Sequence, residues 1–272
     1  MTAAEEAYLA CAQANKDSVE QLLICLTNTM IESDKQQVYN IARNRLFTRN
    51  MFILFAAALA FFMQAGFAMV CAGCVRRKNL QNTMLKNLLD AAGASVAFYA
   101  VGFAFAFGDG DNPNAFIGTS NFFLTDVEDV AFWLYQYAFS AASATIVAGT
   151  LAERCQMSAY FYYSIFLTGF VYPIIVHSVW SPHGFVSAYG DSPLLGVGFI
   201  DIAGAGVVHL TGGLTSLIAT WVLGPRRGRF HDEETGEELA KPKNIQGHSI
   251  GLQVCCAVLS LCSCGFMFVC LC

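Results

Sequence analysis

The chain has 272 residues, of which 56% are hydrophobic and only 13% charged, with a formal net charge of −5. A water-soluble domain needs more polar and charged surface than this composition supplies, so the balance points to a polytopic membrane protein. The charge gives no footing for nucleic-acid binding.

In chain order, residues 1–50 form a polar segment with one amphipathic patch, Val19, Leu22, Leu23, Leu26 and Met30, spaced as on one helical face. That patch reads as a surface helix lying on the rest of the protein. The start, MTAAEEAYLACAQ, is acidic where a signal peptide has its basic region. The first span is therefore expected to act as its own insertion signal.

A membrane-spanning helix needs about 20 predominantly apolar residues. Six stretches reach that length: 51–72, 87–108, 130–151, 157–179, 200–223 and 249–271. The expected fold class is thus an all-α polytopic membrane protein.

Orientation follows from Lys and Arg, which accumulate in cytoplasmic connections. The connection after the first span holds Arg76, Arg77, Lys78 and Lys86; that after the third holds Arg154; that after the fifth holds Arg226, Arg227, Arg229, Lys241 and Lys243. The connections from Asp109 to Asp129 and from Ser181 to Gly198 hold neither residue type. This alternation predicts an extracellular N-terminus, and it outweighs the opposing signal of Arg43, Arg45 and Arg49. On an oxidising side, Cys11 and Cys25 could pair within or between subunits, and the sequence leaves both open.

Within the spans, Gln64 and Gly66 interrupt the aromatic FFMQAGFAM, as close helix packing would require. Pro173, one turn before His177, is expected to kink the fourth span. The connection Gly224 to Gly247 reads as a solvated cytoplasmic loop.

Ionisable groups inside a span are costly and usually face a partner or cavity. In DIAGAGVVHLTGG, Asp201 and His209 are the obvious instances. Asp201 suits an N-cap, with room for a further effect on a nearby cation. His209 reads either as an imidazole bonded to a neighbouring carbonyl or as a pathway residue. If Asp201 opens the helix, His209 lies roughly 12 Å further along its axis, near the bilayer midplane. Trp180 and Trp133 suit an interfacial belt, and rings lining a vestibule could also hold a cation.

Together the motifs FFMQAGFAMVCAG, KNLLDAAG, YAVGFAFAFG, LYQYAFSAASATIVAGTLAER, FLTGFVYPIIVHSVWSP, DIAGAGVVHLTGG, LGPRRGRF and GHSIGLQ resemble the Amt/Mep/Rh ammonium transporter family, close to its eukaryotic branch. The resemblance implies an eleven-span fold of two inverted five-helix repeats plus a last helix, assembled as homotrimers in the plasma membrane. This chain would supply the N-terminal inverted-repeat half and a sixth span. Its domains would be an extracellular segment 1–50, an N-terminal transporter part 51–254 and a divergent Cys-rich tail 255–272.

By the same resemblance, Trp180 matches the external recruitment tryptophan and Phe139 the outer gate phenylalanine. Tyr135 and Gln136 match vestibule positions, Asp201 the recruitment-site aspartate, and His209 the first of two pore histidines. The implied function is ammonium/ammonia transport for nitrogen uptake: external recruitment of the cation, deprotonation, and conduction past the pore histidine. No cofactor, metal or nucleic acid is implied, and no nucleophile–base pair points to an enzyme.

Ile202 departs from the family motif at a packing position. After Gln253 the departure is larger, since VCCAVLSLCSCGFMFVCLC lacks the inner gate phenylalanine, the recruitment serine and the second histidine. Its six cysteines fit no common zinc spacing. The tail is expected to reflect a shifted reading frame, a retained intron or an incomplete gene model. The rival expectations are a truncated, non-conducting product that is inert or disturbs full-length trimers, and an ammonium sensor signalling through the Gly224 to Gly247 loop.

Overall fold

The structure, a computed structural model, describes residues 3–14, 19–110, 112–232 and 235–254. It divides into two units, Met1–Phe52 and Ile53–Cys272. The first unit holds the helix Ala3–Ala14 and the start of a 56-residue helix, Val19–Cys74. A disulfide joins Cys11 to Cys25, so the pairing lies within one chain. Leu23 and Met30 of the amphipathic patch are exposed.

Among the described residues, five helices are long and apolar enough to cross a membrane. They are Leu23–Cys74, Arg77–Phe107, Val130–Leu151, Met157–Trp180 and Ala205–Leu223, referred to below as the first to fifth spans. Residues 250–254 begin a further helix, and the Cys-rich tail with most of the expected sixth span lies outside the described residues.

Three boundaries differ from the sequence reading. The helix of the first span runs from Val19 to Cys74 and does not start at residue 51. Lys86 sits on the second span, not in the preceding connection, and is buried between that span and the loop before the fourth. Its ammonium donates to the Cys155 carbonyl at 2.8 Å and lies 5.2 Å from the Tyr160 ring centre, contacts that make a basic residue tolerable there. The fifth span opens at Ala205, not at residue 200, because Gly204 adopts a left-handed conformation (φ 82°) that ends the extended segment before it.

The third span is the axis of the second unit and packs against both the second and the fifth. Asp129 caps its start by accepting the Phe132 N–H at 2.9 Å. Its run of small residues, Ser140 to Ala144, is wholly buried. Neighbouring backbones can therefore approach closely, as at Gly212 of the fifth span, where a Cβ would stand 3.0 Å from the Ser143 carbonyl. In its most apolar stretch the third span is 61% buried, whereas the fifth is only 22% buried. Among the described residues, one face of the fifth span is thus left uncovered.

Three spans contain a π-helical turn: Phe98–Gly102, Leu167–Val171 and Ala205–Leu210. The second of these directly precedes Pro173, which enters the next α-helical stretch in its first turn. A wider turn there gives the backbone a way to accommodate the N–H that proline lacks.

Connections segregate by charge. Those lacking Lys and Arg meet at one end, where Phe185 N–H donates to Ala115 O at 3.1 Å. There the buried His177 places Nδ1 2.9 Å from Ala106 O and Nε2 2.7 Å from Asn114 O. At the other end the three basic connections converge on Glu153, whose side chain is 1% exposed. Its carboxylate accepts from Asn79 Nδ2 at 2.6 Å and from the Arg76 backbone N–H and Nε, both at 3.1 Å. Arg226 completes the set with an ion pair at 3.0 Å.

Burial alone would push the Glu153 carboxyl upward, but the donors from Asn79 and Arg76 and the Arg226 charge outweigh it and hold the carboxyl below its ordinary value. The stability it contributes is therefore complete above the ordinary carboxylate range and is lost as pH falls through the lowered native value. Glu153→Gln is expected to cost about 3 kcal/mol at neutral pH and to flatten the acid limb of stability. Thermal unfolding of the detergent-solubilised chain between pH 3 and 7 checks this, and parallel acid limbs for the two proteins would contradict it.

Candidate functional site

A second constellation lies at the end whose connections lack Lys and Arg, where the fourth span stops, the third begins and the fifth opens. Trp180 is the last residue of the fourth span, and its indole N–H donates to the Asp201 main-chain carbonyl at 2.6 Å. Its ring meets Phe139 edge-on, with centroids 5.9 Å apart. Phe139 is in turn 4.9 Å from Tyr135, one turn earlier on the third span. Helical spacing puts Tyr135 and Phe139 on one face, and the bundle brings Trp180 against it. Gln136, the residue after Tyr135, is buried.

Asp201 is buried, and each of its oxygens accepts two backbone hydrogens. Oδ1 takes Gly204 N–H at 2.8 Å and Ala205 N–H at 2.9 Å; Oδ2 takes Gly206 N–H at 2.9 Å and Val207 N–H at 2.8 Å. This is a helix N-terminus closed by one anion, which also opposes the positive end of the helix dipole. The N-cap role considered from the sequence is therefore the observed geometry.

His209 is exposed, and its main-chain N–H donates to Gly204 O at 3.0 Å, five residues back, as a π turn requires. Its Nδ1 stands 3.2 Å from the same carbonyl. A carbonyl can only accept, so this contact is a hydrogen bond when Nδ1 carries the hydrogen, and in the neutral ring Nε2 then keeps its lone pair. The rise of eight helical residues expected between Asp201 and His209 does not apply, because residues 201–204 are not helical. His209 lies four residues beyond Ala205, roughly 6 Å along the axis of a span 19 residues long, nearer its start than its middle.

The structure thus brings Tyr135, Phe139, Trp180 and Asp201 together through ring contacts and one hydrogen bond, and no such contact joins Gln136 to them among the described residues. His209 joins them through a residue that sequence reasoning passed over. The Gly204 N–H goes to Asp201 and its carbonyl to His209, so one residue links the two. A Cβ there would stand 2.7 Å from Val208 Cγ2 and 3.6 Å from the Trp180 ring. The first glycine within AGAG was the available signal.

Asp90, in the second span, is a further buried ionisable group that the sequence reading left aside. It is 0% exposed and accepts a hydrogen bond from the Tyr160 hydroxyl. Its place in the apolar stretch 87–108 was the signal.

Gly204→Ala is expected to cost about 2 kcal/mol or more, from left-handed strain plus the clash with Val208. Asp201→Ala, which strands four N–H groups at a buried helix start, is expected to cost at least as much. Thermal unfolding followed by gel filtration of fluorescently tagged protein measures both, and a wild-type profile in either variant would refute the corresponding contact's importance.

The sequence model of the Ammonium Transporter Family matches residues 51–259. The chain is 48% identical over 208 residues to "Ammonium transporter 1 member 3" of Solanum lycopersicum, covering 75% of this chain and 43% of that protein. It is 39% identical over 226 residues to "Ammonium transporter 3" of Dictyostelium discoideum, covering 83% and 48%. Among solved structures it is similar to a "Sensor Amt Protein", with a TM-score of 0.68 at 30% identity over 80% of this chain and 53% of the other. It is also similar to Mep2 from Candida albicans, with a TM-score of 0.63 at 26% identity over 80% and 47%. The chain spans about half the length of the curated relatives it matches.

Proposed function

This chain belongs to the Ammonium Transporter Family, and on that premise we propose that it forms the entrance half of an ammonium/ammonia pathway serving nitrogen uptake. The relatives named above are described as ammonium transporters, and the observation that carries the reading further is the aromatic stack over the capped start of the fifth span. A cation over the faces of Trp180, Phe139 or Tyr135 gains about 0.5–2 kcal/mol. The Asp201 carboxylate lies beneath the stack, engaged by backbone N–H groups, so it acts on such a cation through space and not as a direct ligand.

In this reading ammonium is recruited at the aromatic end and loses its proton on entry. Ammonia then passes His209, whose Nε2 lone pair can accept a hydrogen bond without movement of the ring. The uncovered face of the fifth span, which carries His209, would meet the remaining part of a transporter of the relatives' length. Assembly as a homotrimer, residence in the plasma membrane and an extracellular N-terminus complete the proposal. The positive-inside distribution supports the orientation.

A second reading, an ammonium sensor, is favoured by the likeness to the structure described as a "Sensor Amt Protein". A third reading is a product that joins the trimers of an intact relative and disturbs them without conducting.

Ammonium-dependent growth of a transporter-deficient cell separates these readings. Rescue by residues 1–272 supports transport, ammonium binding without flux supports sensing, and loss of uptake on co-expression with an intact relative supports interference. In a chain extended to the relatives' length, His209→Ala is expected to change conduction or selectivity by about tenfold while leaving expression and assembly unaltered. Wild-type flux and selectivity would remove His209 from the pathway.

A further inference from the structure

Glu153 and its arginines form one wall of a cavity of about 920 Å³ at the basic end. Among the described residues, Arg76, Arg226, Lys78, Arg227 and Arg229 line it, together with Lys86 and Arg154, against two carboxylates, Glu153 and Asp232. Glu153 is already engaged by Arg76 and Arg226, which fixes both guanidinium groups in place before any ligand arrives. Of the remaining cations, Lys86 is 8% exposed, with one hydrogen bond accepted by the Cys155 carbonyl. Arg154 donates from Nη1 to Gly224 O at 2.9 Å, while its buried Nε has no hydrogen-bond partner. Lys86 has Asp90 as a charge partner, whereas Arg154 stands among the like charges of Arg226 and Arg229, so the excess of positive charge around a roomy cavity calls for an anion.

We propose that this cavity binds a phosphate-bearing anion, and that in the membrane the anion is the phosphorylated headgroup of a lipid. Guanidinium groups present paired donors that match phosphate oxygens, and a buried ammonium adds a point charge at the floor. The depth suits a headgroup, because the cavity is framed where the second and fourth spans begin and the fifth ends. Met157 and Phe230 add apolar lining for the glycerol end of a lipid. The leaflet assignment rests on the reading of this end as cytoplasmic, the side on which anionic lipids concentrate. The binding itself does not depend on transport, so failure of either idea is seen separately.

The test uses the purified 272-residue chain in phosphatidylcholine nanodiscs doped with phosphatidylinositol 4-phosphate, with bound lipids counted by native mass spectrometry. Retention of the phosphorylated lipid under conditions that strip phosphatidylcholine is expected. The K78Q/R227Q/R229Q variant, which leaves the Glu153 pairs intact, is expected to weaken retention roughly 10- to 100-fold. If millimolar inorganic phosphate displaces the lipid from the wild type, the site is assigned to the free anion; if the lipid resists, to the headgroup. Equal retention of the two lipids overturns the proposal, as does undiminished retention in the variant. Should the triple variant fail to fold, the three single substitutions are read in its place, and unchanged retention in all of them has the same meaning.

Discussion

A helix that starts inside a low-dielectric bundle brings with it backbone N–H groups that no earlier turn can accept, and in this chain the Asp201 carboxylate accepts four of them. Everything on the aromatic side follows from that capture. The carboxylate cannot satisfy residues 204 to 207 unless Gly204 turns left-handed, and with Gly204 so turned its carbonyl is presented to His209. The Asp201 carbonyl is left for the Trp180 indole, which holds the end of the fourth span against Phe139 on the third. One side chain thus couples three spans without an ion pair.

Glu153 solves a similar problem at the other end by different means. It too is a carboxylate withdrawn from water, but most of its partners are side chains drawn from connections that follow the first and fifth spans. A backbone-capped anion suits the start of a single helix, whereas an anion surrounded by guanidinium groups can tie three loops together. Both meet the same requirement, that a desolvated charge be fully compensated.

The membrane class, the five described spans and the alternation of basic connections with connections lacking Lys and Arg were legible in the sequence, because apolar length and Lys/Arg position survive without any knowledge of packing. The residues around Trp180 were legible as a group only through the family's ordered motifs; hydropathy alone read Trp180 as an interfacial belt residue. Three features escaped. Lys86 sits among charged neighbours in sequence and reads as loop until Cys155 is seen to meet it. Asp90 is compensated by Tyr160, 70 residues away. The start of the fifth span was misplaced by five residues because the segment is apolar throughout, and only the positive φ of Gly204 marks the boundary.

The π turn at Ala205–Leu210 has a consequence for how this span can vary. Such a turn accommodates one residue more than an α turn, so everything beyond it is advanced by about 100° relative to an uninterrupted helix. The stretch presenting His209 and the stretch placing Gly212 and Ser216 against the third span therefore keep separate phases. Loss of a single residue within 205–210 would bring them into one phase, straightening the helix while turning either the imidazole or the packing face away from its present direction. The segment is intolerant of a change in its count.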